Sequence, residues 1–228
     1  MRRVSAKDHP DIDEPDFLAA LAHCRPATMT SKERLYALYG AVRYIVDAGI
    51  AGAFVECGVW KGGSVMMMAL TLRHLGITDR DIYLFDTFTG QPAPSKEDID
   101  FAGVSVAAMN EQGMVWPRSP AEEVRANLAT TGYPMERFHL VPGDVRQTIP
   151  GAAPERIALL RLDTDWYEST AHELKNLFPR LAPRGPLIID DYGHFRGSRQ
   201  AVDEFLARQP TRYFLQRIDY TARLLIKA

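Results

Sequence analysis

The sequence predicts an α/β fold, a mostly parallel sheet covered by helices, and three observations carry that expectation. Short apolar runs alternate with longer stretches whose apolar residues recur at helical spacing. One such run leads through a glycine-rich turn, Glu56-Cys-Gly58 to Gly62-Gly63, into a helix and a second run that ends in Asp86. Two later runs, Ile157–Leu162 and Pro186–Ile189, end in Asp163-Thr-Asp165 and Asp190-Asp191. Parallel strands that finish in carboxylates gather them on one rim, where open α/β sheets take their ligands.

The elements follow in order. Residues 1–27 are polar and carry Pro10, Pro15 and Pro26, with Phe17–Leu21 as an apolar group suited to a helix. Either Thr30 or Ser31 caps the next helix, Thr30 and Glu33 standing at capping-box spacing. Leu35, Leu38, Tyr39, Val42, Ile45 and Val46 give that helix its apolar face, and Gly49 closes it. Ala53–Cys57 is the first strand, Ser64 to about Leu75 a helix, and Asp81–Phe85 the second strand. Residues 87–119 hold Gly90, Pro92, Pro94, Gly103, Gly113 and Pro117, a stretch long enough to be a lid or binding loop. Ser119 reads as the cap of a helix over Pro120–Ala129, with Pro120 in its first turn. Phe138–Val141 is the third strand and runs into Gly143-Asp144-Val145. After Ile157–Leu162 come a helix from about Glu168 to Leu181, the strand Pro186–Ile189, and a helix Ser198–Arg208 opened by Gly197. Tyr213–Ile218 and Thr221–Ile226 close the chain as a hairpin, which makes the last strand antiparallel.

The 228 residues suit one large domain or two small ones, and nothing argues strongly for two. With 27 basic and 29 acidic residues the net charge of −2 gives no support for nucleic acid as a partner. No apolar stretch approaches the ~18 residues of a membrane span. Met-Arg-Arg at the start is not followed by the apolar core of a signal peptide. Cys24 and Cys57 offer neither a disulfide framework nor metal spacing, so a reducing cytoplasm is expected.

The glycine turn carries the first chemistry. Gly58, Gly62 and Gly63 let a ligand approach the backbone at a helix N-terminus. Asp86 follows Gly63 at about the ~20-residue gap of a ribose-binding carboxylate. A dinucleotide fingerprint departs here, because Trp60 occupies its second glycine position. Glu56 at the strand tip would repel a pyrophosphate but accept from an ammonium group. This favours S-adenosyl-L-methionine over NAD. Asp144 is placed for an adenine amino group.

Asp163, Asp165, Asp190 and Asp191 carry the second. Any one of them alone reads more readily as a turn or cap residue. Grouped, with no cation adjacent to Asp190-Asp191, they raise one another's pKa. A hard divalent cation such as Mg²⁺ relieves that cost. If the extended chain persists past Leu162, Asp163 and Asp165 point to one side, one binding metal and the other taking a proton. His194 reads either as a surface or capping histidine or as a substrate contact or alternate base. His139 and His172 look structural, Met66–Met68 core, and Trp60 and Trp166 either pocket wall or core.

Five segments carry a family resemblance: Thr28–Ser31, Phe54–Ser64, Leu84–Phe88, Leu162–Thr170 and Ile188–His194. On these the chain closely resembles the macrocin O-methyltransferase family, from about residue 28 to 208. The resemblance implies a three-layer class I methyltransferase (Rossmann-like) fold with a seven-stranded sheet, S-adenosyl-L-methionine and Mg²⁺. It implies Asp163, Asp190 and Asp191 as metal ligands and Asp165 as the base; His194 stays a second catalytic candidate from its place after the acid pair. It places Glu56, Gly58, Asp86 and Asp144 on the cofactor, with Thr28 and Met29 closing over it. Trp60, Thr87, Ser119, Gly143 and Val145 are further cofactor-side candidates. Residues 1–50 then form a helical segment covering the cofactor site, and 51–228 the methyltransferase domain with its lid at about 87–119. The implied acceptor is a small glycosylated natural product of antibiotic biosynthesis, methylated on a sugar hydroxyl, with a phenolic or polyketide aglycone hydroxyl as the alternative. Homo-oligomers through the N-terminal and lid elements are a further implication.

Two rivals remain at this point. A haloacid-dehalogenase-like phosphohydrolase is echoed by Leu84-Phe-Asp-Thr-Phe88 and Asp163-Thr-Asp165. Its nucleophile motif belongs near the start of a chain, and it leaves the Glu56 turn unexplained. A non-catalytic sugar- or cofactor-binding protein is the other, and it needs no free carboxylate beside a metal.

Overall fold

A computed structural model describes residues 9–114 and 116–228. Residues 1–8 of the expected N-terminal segment and Val115 of the expected lid lie outside the described residues. Strands β1 (Ala53–Cys57), β2 (Ile82–Asp86), β3 (Phe138–Pro142), β4 (Ile157–Leu162), β5 (Pro186–Ile189), β6 (Gln216–Arg217) and β7 (Arg223–Ile226) form one sheet. Their order is β3-β2-β1-β4-β5-β7-β6. The first five run parallel, and β7 is antiparallel to both neighbours, as the closing hairpin predicted. The chain winds outward one way from β1 and the other way from β4. Those two strands therefore frame the switch point of the sheet, the place where such folds bind ligands.

Side-chain alternation along the strands divides the interior into two cores. Phe54, Leu84, Leu159 and Ile188 face one side, under α1 (Pro15–Cys24), α2 (Lys32–Asp47) and α3 (Gly63–His74). After α4 (Val106–Glu111) in the lid region, α5 (Ala121–Ala129) joins that layer through Val124 and Leu128. Val55, Phe85, Leu160, Leu187 and Ile189 face the other side. That side is covered by α6 (Val145–Thr148), α7 (Tyr167–Leu177) and α8 (Arg196–Ala207). By the same alternation Glu56, Asp86, Arg161 and Asp190 all project toward the first layer. The methionine run shows how thick that layer is. Met66, Met67 and Met68 are all buried, although three successive helical positions cannot all face one sheet. Helices α1 and α2 cover the outer side of α3.

The structure decides between the two cap candidates and corrects other local expectations. Ser31 caps α2, its Oγ accepting from the Arg34 amide at 3.1 Å, while Thr30 is buried and turned inward. Ser119 caps nothing: Pro120 takes the cap position, and Ser119 Oγ donates to Glu123 at 2.7 Å. Helix α7 stops at Leu177 and tightens into a 3₁₀ turn carrying Pro179, which cannot donate to a continuing helix. Strands β6 and β7 are shorter than predicted. The Asp219 carboxylate accepts from the Thr221 and Ala222 amides at 2.9 and 2.8 Å and folds the intervening residues into a turn. Helices α4 and α6 were not anticipated. Among the described residues, no helix is long and apolar enough to cross a membrane.

Two glycines give opposite expectations. Gly40 lies exposed inside α2, and a Cβ added there would meet nothing within 4 Å, so Gly40→Ala should add roughly 0.5–1 kcal/mol of stability. Gly58 has φ +81° and a side chain there would collide with the Asp163 carbonyl, so Gly58→Ala should cost about 2–4 kcal/mol. Urea unfolding of the two variants checks both signs.

Candidate active site

Arg161 stands in the middle of β4, only 1% exposed, beside Glu56 of β1 in the strand register. A guanidinium is tolerated there only if its donors find acceptors. Nη1 donates to Glu56 Oε1 at 2.6 Å and Asp163 Oδ2 at 2.7 Å. Nη2 donates to Asp190 Oδ1 at 2.5 Å and to Thr30 Oγ1 at 3.4 Å. Arg34, in the first turn of α2, binds the other oxygen of Asp190 and reaches Asp219 at 3.0 Å. The expectation that Asp190-Asp191 lacks a cation is thus wrong, because two arginines hold Asp190. Ile157–Leu162 reads as an apolar run, and the arginine inside it is the signal that marks the site.

The acids do gather, by a different route from the one expected. Extended geometry ends at Leu162, and Asp165 adopts the left-handed φ of +65°. That turn brings one carboxylate oxygen each from Asp163, Asp165 and Asp191 within 4.8 Å of one another. Thr164 between them is held from below: its hydroxyl lies 3.0 and 3.1 Å from the two oxygens of Glu173, which is fully buried. Burial pushes the Asp163 and Asp191 carboxyls well above the carboxylate range. Arg161 opposes this at Asp163, and neighbouring acids reinforce it at both. Burial also lifts Asp165 to about 7, moderated by hydrogen bonds from Asp191 and the Gln91 amide. Asp191 Oδ2 is buried without a partner. Hard oxygens packed this closely, one of them orphaned, fit a divalent cation.

The glycine turn lies across from these acids. Asp86 braces it, Oδ2 accepting from the Val59 and Trp60 amides at 2.7 and 3.1 Å and Oδ1 from Phe88 at 2.8 Å. Trp60 and Gly62 take positive φ, +47° and +87°, and α3 begins at Gly63. Glu56 spends one oxygen on Arg161 and leaves Oε2 buried and unpartnered. Burial raises its carboxyl to about 8 even against Arg161. Asp144 caps α6 and is held low by its hydrogen bonds with Arg146.

All these groups line one cavity of about 300 Å³. Every residue expected at the cofactor or the metal is in its walls, and so is Asp165. His194 is not. Its Nδ1 lies 2.9 Å from the Tyr220 hydroxyl, and its ring packs among Phe101, Phe195 and Tyr220 in a separate surface groove. Trp166 is core, edge-on to Trp116 and Phe195, whereas Trp60 walls the cavity. His139 stacks on Tyr83, and His172 reaches the Ile149 carbonyl at 2.9 Å, both structural. Arg34, Gln91, Arg161 and Glu173 escaped the sequence reading.

The doubly wound sheet, the glycine turn before α3 and the acid-tipped strands around one cavity define a class I, S-adenosylmethionine-dependent methyltransferase. Known proteins narrow this further. The chain matches the family described as Macrocin-O-methyltransferase (TylF) over residues 7–227, and it belongs to that family of O-methyltransferases. It is 38% identical over 181 residues to the 8-demethyl-8-(2,3-dimethoxy-alpha-L-rhamnosyl)-tetracenomycin-C 4'-O-methyltransferase of Streptomyces olivaceus, covering 79% of this chain and 68% of that one. Over the same shares it is 34% identical to the demethyldecarbamoylnovobiocin O-methyltransferase of Streptomyces niveus. The solved structure of the O-methyltransferase NovP superposes with a TM-score of 0.79 at 32% identity, covering 88% of this chain and 82% of that one. The phosphohydrolase and non-catalytic readings are set aside with this assignment.

Removing Arg161 strands buried carboxylates, so Arg161→Met should cost about 3–5 kcal/mol in urea unfolding. Glu173 gives a pH test. Its carboxyl titrates near 8 when folded and near 4.5 otherwise, so the folded chain holds an extra proton between those values. The stability this confers is complete below the lower value and lost as pH rises through the upper one. The thermal midpoint of metal-free protein should therefore fall between pH 5 and pH 8.5, and Glu173→Gln should flatten part of that slope.

Proposed function

We propose that the protein moves the methyl group of S-adenosylmethionine to a hydroxyl on the sugar of a glycosylated natural product, with Mg²⁺ held in the acid cluster. The observation that carries this is the close grouping of Asp163, Asp165 and Asp191 in the cavity that Glu56 also lines. The relatives support the substrate class. One is named for a rhamnosyl tetracenomycin, and a third, the mycinamicin III 3''-O-methyltransferase of Micromonospora griseorubida, is 31% identical over 206 residues.

Each residue then has a task. The orphaned Glu56 Oε2 accepts from the ammonium of the donor's methionine moiety, and the amides at the start of α3 meet the donor across Gly58. Asp163 and Asp191 would hold the cation. Asp190, expected as a third ligand, serves in this reading as the buttress that Arg34 and Arg161 clamp behind them. When bound, S-adenosylmethionine supplies the methyl group and the cation supplies positive charge that favours loss of the acceptor's proton. Asp165 takes that proton, and a carboxyl near 7 exchanges protons at neutral pH. The left-handed turn fixes where its oxygens stand. The free, buried cysteines fit residence in the cytoplasm.

The test is methyl transfer to a panel of aryl and antibiotic deoxyhexosides and their aglycones, followed by mass spectrometry. Wild-type protein should methylate glycosides, lose activity in excess EDTA and regain it with Mg²⁺. Asp165→Asn should lower kcat about 10²–10⁴-fold. Full activity in EDTA, or wild-type turnover by Asp165→Asn, would defeat the mechanism. Transfer confined to aglycones would move the acceptor off the sugar.

A further inference from the structure

Ser95-Lys-Glu-Asp-Ile-Asp100, in the long connection after β2, is a charged stretch that should lie in water. Asp98 is instead completely buried, at 0% exposed. A carboxylate taken out of water needs donors. Among the described residues Asp98 has three, all neutral. Oδ2 accepts from the Ser95 amide and hydroxyl at 2.6 and 2.9 Å, and Oδ1 from the Tyr167 amide at 2.8 Å.

Tyr167 is the first residue of α7. Trp166 before it takes the cap position and makes no capping hydrogen bond, so Asp98 supplies the cap from far earlier in the chain. Helix α8 begins the same way, with Phe195 as a cap residue that offers no acceptor. Its first turn lies against Asp98. A Cβ on Gly197 would stand 2.3 Å from Oδ1, and the Ile99 carbonyl accepts from the Arg196 amide at 2.8 Å. Two helix N-termini, each with its partial positive charge, thus converge on one buried carboxylate. Val106, whose amide donates to the Asp98 carbonyl at 3.0 Å, packs with both cap residues, Trp166 and Phe195, in a small separate core.

These are the helices that follow the acid-bearing strand ends. Asp165 stands two residues before Tyr167, in the left-handed turn. Trp166 Nε1 donates to the Pro92 carbonyl at 3.2 Å, and Thr87 Oγ1 pins the same connection by accepting from the Gly90 amide at 3.2 Å and donating to the Gly90 carbonyl. At the other acid, the Asp191 carbonyl accepts from the His194 and Phe195 amides, both at 3.0 Å, so the start of α8 and Asp191 move together. A left-handed residue other than glycine persists only where its surroundings over-determine it. Thr164 restrains Asp165 from the residue before it, and Asp98 fixes the chain just after it.

Resting on the reading of Asp165 as the base, we propose that Asp98 is a positioning residue for methyl transfer. Asp98 is not in the cavity wall. It sets Asp165 and Asp191 relative to each other by holding the starts of the two helices that follow them. Residues 95–106 therefore stay docked whether or not the cavity is filled. A misplacement of reacting groups by ~1 Å costs about 10²-fold in rate, so a distant cap is enough to govern turnover.

The experiment separates turnover from binding. Asp98→Ala should lower kcat about 10- to 100-fold on the acceptor that wild-type protein methylates in the panel. Acceptor KM and calorimetric affinity for S-adenosylhomocysteine should stay within about 3-fold, because Glu56, Gly58 and Asp86 stand at the ends of β1 and β2. Asp98→Asn keeps an acceptor oxygen for the Tyr167 amide and should recover most of the lost kcat. Gly197→Ala drives a methyl group against Oδ1 with the carboxylate still present, and it should reproduce the loss. Hydrogen exchange read by mass spectrometry tests the same contact without turnover. In wild-type protein residues 95–106 should exchange slowly with or without S-adenosylhomocysteine. In either variant, Asp98→Ala or Gly197→Ala, exchange should rise at 95–106 and 163–170 and stay unchanged in β1 and α3. Wild-type kcat in both variants, a kcat loss matched by lost nucleoside affinity, or protection of 95–106 only when the nucleoside is bound overturns the proposal and leaves the methyl-transfer reading intact. Wild-type turnover by Asp165→Asn overturns the base assignment and this inference with it.

Discussion

The buried Arg161 guanidinium is the constraint on which the rest of the site depends. It sits where an apolar residue would cost nothing, and it is tolerated because β1, β5 and the loop after β4 each bring it a carboxylate. The register makes this arrangement rigid. Glu56 lies beside Arg161 on one neighbouring strand, and Ile188, two residues before Asp190, lies beside it on the other. Arg161 is thus less a stabilising bond than a device fixing the acids at set positions, since a buried ion pair recovers little more than its own desolvation cost.

The charge balance around it is deliberately incomplete. Glu56, Asp163, Asp165, Asp190 and Asp191 line the cavity and share Arg34 and Arg161. Burial, reinforced by neighbouring acids, raises the carboxyls: Glu56 near 8, Asp165 near 7, Asp163 and Asp191 higher than ordinary acids. A cationic donor and a divalent cation have the sign that removes it. Each would find its carboxylates already in place, so binding and ionisation of the site are one event. The N-terminal segment shares in it, because Thr30 contacts Arg161 and Arg34 contacts Asp190. Lining the cavity and balancing its charge are done by the same short stretch, from Ala27 to Arg34.

What was legible in the sequence is what strand ends dictate. Apolar runs finishing in acids, the glycine turn and the closing hairpin all follow from local patterns, and the sheet forms as those patterns require. The misreadings have a common cause in tertiary register. Arg161 is hidden inside an apolar run because two of its carboxylate partners, Glu56 and Asp190, come from neighbouring strands. Asp165 seemed to continue an extended strand, although its left-handed backbone is imposed from below by Thr164 and Glu173. His194 seemed close to the acids because it follows Asp191 by three residues. The turn at Gly193 packs so tightly on the Tyr220 carbonyl that no side chain fits there, and it carries His194 out to the Tyr220 ring.

Acceptor choice is the least local property of all, and the exposed apolar side chains show why. Met29, Phe101 and Met114 are large apolar side chains left exposed, at 63%, 61% and 50%, on the N-terminal segment and the 87–119 region. Met29 lies on the loop before α2, and Phe101 and Met114 lie in the long connection after β2, the kind of segment that varies more readily than the sheet. The polar chemistry, by contrast, is tied to strand ends and to the pinned Thr87–Pro92 turn. The two kinds of part thus differ in chemistry, exposed and apolar on the connections, buried and charged at the strand ends, and only the second kind is fixed by the register of the sheet.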